Sequence, residues 1–168
     1  MTARRGLLLV SVVLLLGGCG YSLRGNLPEH VRTVAVPIFT NKTQQPGVEN
    51  VLTRSVVNAF VTSGRLKVVR LEDADSILEG EVTGYQLNAL SYNRQADVQE
   101  YRLTVTLNLQ FKDVKKNVVL CCEGGIQESA AFQVQGQVAG TISSEESALR
   151  TAAVDIGRAI VNRIVERF

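Results

Sequence analysis

A single histidine, His30, among 168 residues leaves no His cluster for zinc and no base for a nucleophile, since both chemistries hold an imidazole beside a partner group. His30 stands beside Pro28 and Glu29, where nothing in the sequence predicts a partner or a dry pocket. Cysteine is almost as scarce. Of three in the chain, Cys121 and Cys122 are adjacent, and adjacent residues on a strand point to opposite faces, so no disulfide framework is expected. One buried small hydrophobe and one exposed or edge thiol is the expected arrangement, with a vicinal or intermolecular disulfide left open. No Gly-rich loop between strand and helix matches a phosphate cradle. The apolar run from Leu7 to Leu16, broken only by Ser11, is too short to span a bilayer, which takes about 20 apolar residues.

What that run does match is a secretory signal. Arg4 and Arg5 precede it, and Leu16-Gly17-Gly18-Cys19 closes it with small residues and a thiol, the pattern of bacterial lipoprotein processing. Residues 1–18 are therefore expected to be removed and Cys19 to carry the lipid. More than one acyl chain on Cys19 would hold the protein stably on a membrane, leaving the rest of the chain water-soluble. Removing residues 1–18 takes away two basic residues and no acidic one, so 18 basic residues become 16 against 16 acidic. A neutral domain lacks the basic excess from which nucleic-acid binders draw most of their affinity. Nucleic acid is accordingly not an expected partner.

Residues 19–30 include Gly25 and Pro28 without an apolar period and read as a lipid-anchored tether; residues 31–168 form one domain. Val34, Val36 and Ile38 alternate around Pro37, which predicts an edge strand because proline cannot donate to a ladder. From Val48 to Phe60 the apolar spacing is helical, with Gly64 as a stop. Leu66 to Leu71 is a short strand, and strand, helix, strand implies a parallel crossover. Ile77 to Tyr92 is strand-like with a phase slip near Gly84 that a β-bulge would absorb. Tyr101, Leu103, Val105, Leu107, Leu109 and Phe111 alternate without error against polar residues, the mark of a strand with one face on a core and one in water. A charged turn, Asp113 to Asn117, leads into a weaker strand, Val118 to Val134, interrupted at Gly124 and Gly125. Ser143 and Glu146 form a capping box ahead of a helix with Leu149, Ala153, Ile156, Ile160 and Ile164 on one stripe. The fold class expected is α+β: two amphipathic helices packed on one face of a mixed four- to five-stranded sheet.

The remaining chemistry is thin. Glu79 and Glu81 share a strand face, Asp73 and Asp75 a turn, and Glu145 and Glu146 the opening of the last helix, where acids favour the macrodipole. They read as solvated or capping carboxylates. Asn41-Lys42-Thr43 matches a glycosylation sequon by chance. No enzyme, metal or cofactor is expected.

Several segments resemble the LptE family of lipopolysaccharide-assembly lipoproteins. They are Cys19-Gly20-Tyr21-x-Leu23-Arg24-Gly25, then Val34-Ala35-Val36-Pro37-Ile38-Phe39-x-Asn41-x-Thr43, Leu78-Glu79-Gly80, Ser91-Tyr92 and Glu100-Tyr101-Arg102-Leu103. The resemblance covers most of the chain after Cys19 and weakens at Cys121-Cys122, where the family more often has a bulky aromatic. It implies an outer-membrane lipoprotein on the periplasmic side that plugs the LptD β-barrel, supports its assembly and receives lipopolysaccharide. Because that cargo carries phosphates and the domain is neutral, capture would rest on local cations. Candidates are Arg94, Arg150, Lys115 and Lys116. Arg94 and Arg150 occupy contexts that resemble basic positions of the family, and arginine grips phosphate oxygens bidentately. Tyr92, and less so Tyr85, are candidates for the barrel interface. The Val34 to Phe39 segment followed by a helix also resembles the opening of curli-secretion and TolB-type domains. The alternative is therefore a lipoprotein structural component of a secretion or surface-organelle complex.

Overall fold

The structure is a computed structural model that describes residues 27–134 and 138–166. Cys19 and the signal segment lie outside the described residues. Among the described residues six strands form one sheet: β1 (Thr33–Ala35), β2 (Thr40–Asn41), β3 (Lys67–Val68), β4 (Ser76–Tyr92), β5 (Val98–Asp113) and β6 (Val118–Gln133). Their order is β3-β1-β4-β5-β6, with β2 paired to β4 off that path. Helix α1 (Val48–Ser63) and helix α2 (Val138–Glu166) pack on each other, α2 covering β6 and β5. The expected α+β layer is thus present; the sixth strand is β2, which is only two residues long and carries no readable period.

The long hairpins follow the alternation in the sequence. Leu103, Val105, Leu107, Leu109 and Phe111 of β5 are all buried against Leu149, Ala153, Ile156, Ile160 and Ile164 of α2 and Leu52, Val56 and Phe60 of α1. The slip at Gly84 is a bulge: pairing of β4 with β5 shifts register between Val82 and Gly84, so Leu78 and Val82 before it and Tyr85 after it all reach the core side. Gly64, at φ 62°, donates its N–H to Phe60 O and ends α1, a left-handed cap that glycine adopts without strain.

Two glycines let the layers approach. A Cβ on Gly80 would lie within 2.8 Å of the Phe39 ring. Phe39 is buried there, with its N–H on Thr53 Oγ1 at 3.1 Å. A Cβ on Gly157 would lie 2.9 Å from the Ser55 carbonyl oxygen, so glycine here lets α2 approach the α1 backbone.

Four expectations change. β1 is an interior strand, parallel to β3 on one side and β4 on the other; Pro37 falls after its last residue, so the missing N–H is never asked of the sheet. The strand expected from Leu66 to Leu71 is β3 followed by a 3-10 turn at Leu71–Asp73. The capping box is absent because α2 starts at Val138, placing Ser143 inside it; the neighbouring Ser144 hydroxyl donates to Gly140 O at 2.9 Å, a bond that satisfies serine within a helix. Cys121 is buried and disulfide-bonded, not a lone thiol.

Candidate functional site

The hairpin turn between β4 and β5 is built by one side chain. Asn93 Oδ1 accepts the N–H groups of Gln95 and Asp97 at 2.9 Å each, its Nδ2 donates to Asp97 at 3.0 Å, and Ala96 takes a left-handed φ of 67°. Asparagine stabilises such turns by folding its side chain back on the backbone. The result holds Arg94 at the apex, exposed and with no ion pair among the described residues. Tyr92 precedes it at 62% exposure. Below the turn Tyr101 stacks on Phe132 across β5 and β6, ring centres 5.7 Å apart.

Lys115 and Lys116 sit in the opposite turn, between β5 and β6. With 16 residues in β5 at about 3.3 Å each, the two turns are about 50 Å apart along the strand. Arg150 is exposed on α2 and lies 3.7 Å from Glu146, on a face it shares with Ser147, Thr151, Val154 and Arg158. Helix and strand lie level where the Tyr85 hydroxyl donates to Glu145 at 2.6 Å. From there Arg150 lies further from Arg94, not nearer. The four candidate cations therefore occupy three places and do not converge.

Tyr85 packs against the core; burial, and then the Glu145 carboxylate, raise its phenol pKa. Glu145 thus serves this bond and Glu146 pairs Arg150, neither at the helix opening as expected. Glu79 and Glu81 line an open groove of about 660 Å³ with Pro37, Ile38 and Asn108, and Glu79 is held by Lys112 at 2.6 Å. The Asn41 amide of the sequon is engaged by Gln45 O, Glu49 and Thr43.

The sequence missed a polar cluster at the Lys115 end. His30, expected without a partner, meets Asp113 at 2.7 Å, with side chains 29% and 0% exposed. Asp113 Oδ1 also accepts the N–H groups of Lys115 and Lys116 at 2.9 and 3.0 Å. Burial pushes its pKa up, but these backbone bonds and His30 outweigh that and hold it below the ordinary value. Asp75 beside it is held well below the carboxylate range by Lys115 Nζ at 2.8 Å and by the Thr33 hydroxyl. Leu27 and Val31 pack onto the core, so the last residues of the expected tether are docked. Only a contact 83 residues away along the chain reveals this, and no local pattern encodes it.

Among the described residues, the other sheet face carries no helix. It exposes Gln86, Asn88, Asn108, Gln127 and Ser129, with Arg102 paired opposite Asn88 and Glu81 opposite Asn108, a polar band of both signs across β4, β5 and β6. Among the described residues no helix is long and apolar enough to cross a membrane.

A family model described as LptE, lipopolysaccharide-assembly, matches residues 31–164. Among curated proteins none matches. Solved structures share the fold at low identity. An uncharacterized lipoprotein B from Nitrosomonas europaea is 18% identical, with a TM-score of 0.54 over 87% of this chain and 90% of that one. Rare lipoprotein B from Shewanella oneidensis is 14% identical, with 0.52 over 76% and 91%. A minor lipoprotein from Acinetobacter baumannii is 15% identical, with 0.52 over 80% and 91%.

Proposed function

The chain belongs to the LptE family, and from that membership we propose that this lipoprotein of lipopolysaccharide assembly is held at the outer membrane by acylated Cys19, plugs an LptD-like β-barrel and binds the cargo at the Arg94 turn. The observation that carries the plug is the sheet face on which none of the described helices packs. Barrel interiors are polar, and a body seated in one needs a broad polar surface rather than an apolar patch. Gln86, Asn88, Asn108, Gln127 and Ser129 supply it without a field of one sign.

For the cargo, Arg94 is the candidate at the hairpin apex, exposed and with no ion pair among the described residues. Tyr92 beside it offers an aromatic anchor, as interfaces favour. Arg150 is a second, separate contact, opposed by Glu146. Lys115 is committed to Asp75, and it and Lys116 lie at the far end. Extraction of the full chain from membranes in mild detergent should yield one copy with one large β-barrel. A symmetric homo-oligomer would instead support a structural component of a secretion or surface-organelle complex. Arg94→Glu should weaken lipopolysaccharide binding with an unchanged melting temperature; unchanged binding removes the turn from the proposal.

A further inference from the structure

Strand β4 has 17 residues and is paired on both sides for only part of that length. On one side β5 accompanies it from Ser76 to Tyr92. On the other, β1 reaches Ile77 and β2 reaches Val82, where the last bond runs from Lys42 N–H to Val82 O at 2.9 Å. Among the described residues no strand pairs with residues 83–92 on that side. Alternate residues there turn N–H and C=O away from β5 with no strand to receive them. Domains defend such an edge with charges or proline, because it templates pairing with another chain. Residues 83–92 hold neither a charge nor a proline.

The side chains show the same missing column. Ala130, Leu103 and Leu87 stand opposite one another across β6, β5 and β4. Leu103 in the middle strand is fully buried, whereas Leu87 at the edge is 41% exposed. Gln86 and Asn88 are exposed on the reverse face. Bulges mark off the usable length: the β4–β5 register shifts between Val82 and Gly84 and again between Ala89 and Ser91, leaving residues 84–89 regular. That is about 20 Å of edge.

The segment of this chain that leads into the domain does not fill it. His30 on Asp113 fixes the entry at the base of β4, and the eight steps from Leu27 back to Cys19 span at most about 28 Å, about the rise from Ser76 to Gly84. A lipidated Cys19 therefore cannot let it run along residues 84–89. A second copy gains too little: an edge about 20 Å long and about 10 Å deep offers about 200 Å² per partner, against about 800 Å² in a stable complex. A barrel that surrounds the domain supplies the rest of the interface.

We infer that residues 84–89 take up an extended, uncharged segment of the partner barrel as an added strand of the sheet. Its backbone closes the free row, its apolar residues cover Leu87 and Ala89, and its polar residues continue the row of Gln86 and Asn88. Main-chain bonds give such a pairing its affinity and the alternation gives it specificity. A charged residue beside Leu87 fits poorly, because it loses water without gaining a partner. The inference rests on the barrel of the proposed function and adds where one segment of it is held.

Hydrogen exchange on the full protein, extracted in mild detergent with its barrel and then freed of it, tests this. Amides of residues 84–89 that face away from β5 should exchange at least about 100-fold more slowly in the complex. A photo-reactive residue in place of Leu87 should crosslink to one barrel segment without charged residues. Leu87→Lys sets a charge on the edge at an already exposed position. It should lower recovery of the barrel at least about tenfold, with the melting temperature of the full protein nearly unchanged. A barrel recovered while these amides exchange as fast as in the free protein, or recovered undiminished with Leu87→Lys, overturns the inference and leaves the plug standing. No barrel at all, or a homo-oligomer slowed at the same amides, overturns both.

Discussion

Replacing Asp113 with alanine tests the cluster that joins the first described residues to the sheet. The carboxylate is fully buried and accepts from His30 Nε2, Lys115 N and Lys116 N. Hydrogen bonds to a charged group contribute about 1.5–3 kcal/mol each, but the donors of a surface turn regain water when released. The net loss is then about 2–4 kcal/mol. With an unfolding entropy of about 2.1 cal/mol/K per residue over roughly 140 residues, that lowers the melting temperature by about 7–14 °C. His30→Ala should cost less, since the imidazole is partly exposed, and the two replacements together should cost less than their sum because they share one bond. Thermal unfolding followed by circular dichroism measures all three. Hydrogen exchange should quicken at residues 30–33 in Asp113→Ala while the α2 amides stay protected. A melting temperature within about 3 °C of the parent, or strictly additive losses, would refute the reasoning.

Asp75 and Asp113 both titrate below their ordinary values in the folded protein. Their contribution is therefore complete above the unfolded carboxylate pKa of about 3.9 and is lost as pH falls through the folded values; an acid titration should show stability falling below about pH 4, with a shallower slope in Asp75→Asn. Val105→Asp places an unpaired charge at a fully buried position of β5 and should cost more than about 4 kcal/mol, so a soluble variant of normal melting temperature would show that the core face is misassigned. Gly157→Ala gains about 1 kcal/mol of helix propensity but drives a Cβ to 2.9 Å from the Ser55 carbonyl. Backbone cannot yield as a side chain does, so net destabilisation of about 1–2 kcal/mol is expected; chemical denaturation showing a gain would mean the helices separate freely.

Local periodicity was enough to expose both helices, the faces of β4 and β5, the bulge at Gly84 and the stop at Gly64, because a helix or long strand repeats its burial pattern every few residues. The same information was too sparse for β2, whose two residues hold no period, overran the end of β3, and misled at Ser143, where a capping pattern lies inside a helix that begins at Val138.

The chain alone thus determined the layered fold, because its long strands and helices carry their burial pattern in local spacing. Only the folded molecule decided that His30 meets Asp113 and that Lys115 serves Asp75. It also parted Arg94 from Lys116 by the length of a strand. Pairings across 83 and 40 residues are set by how strands align in the sheet, and that alignment depends on the whole core packing at once.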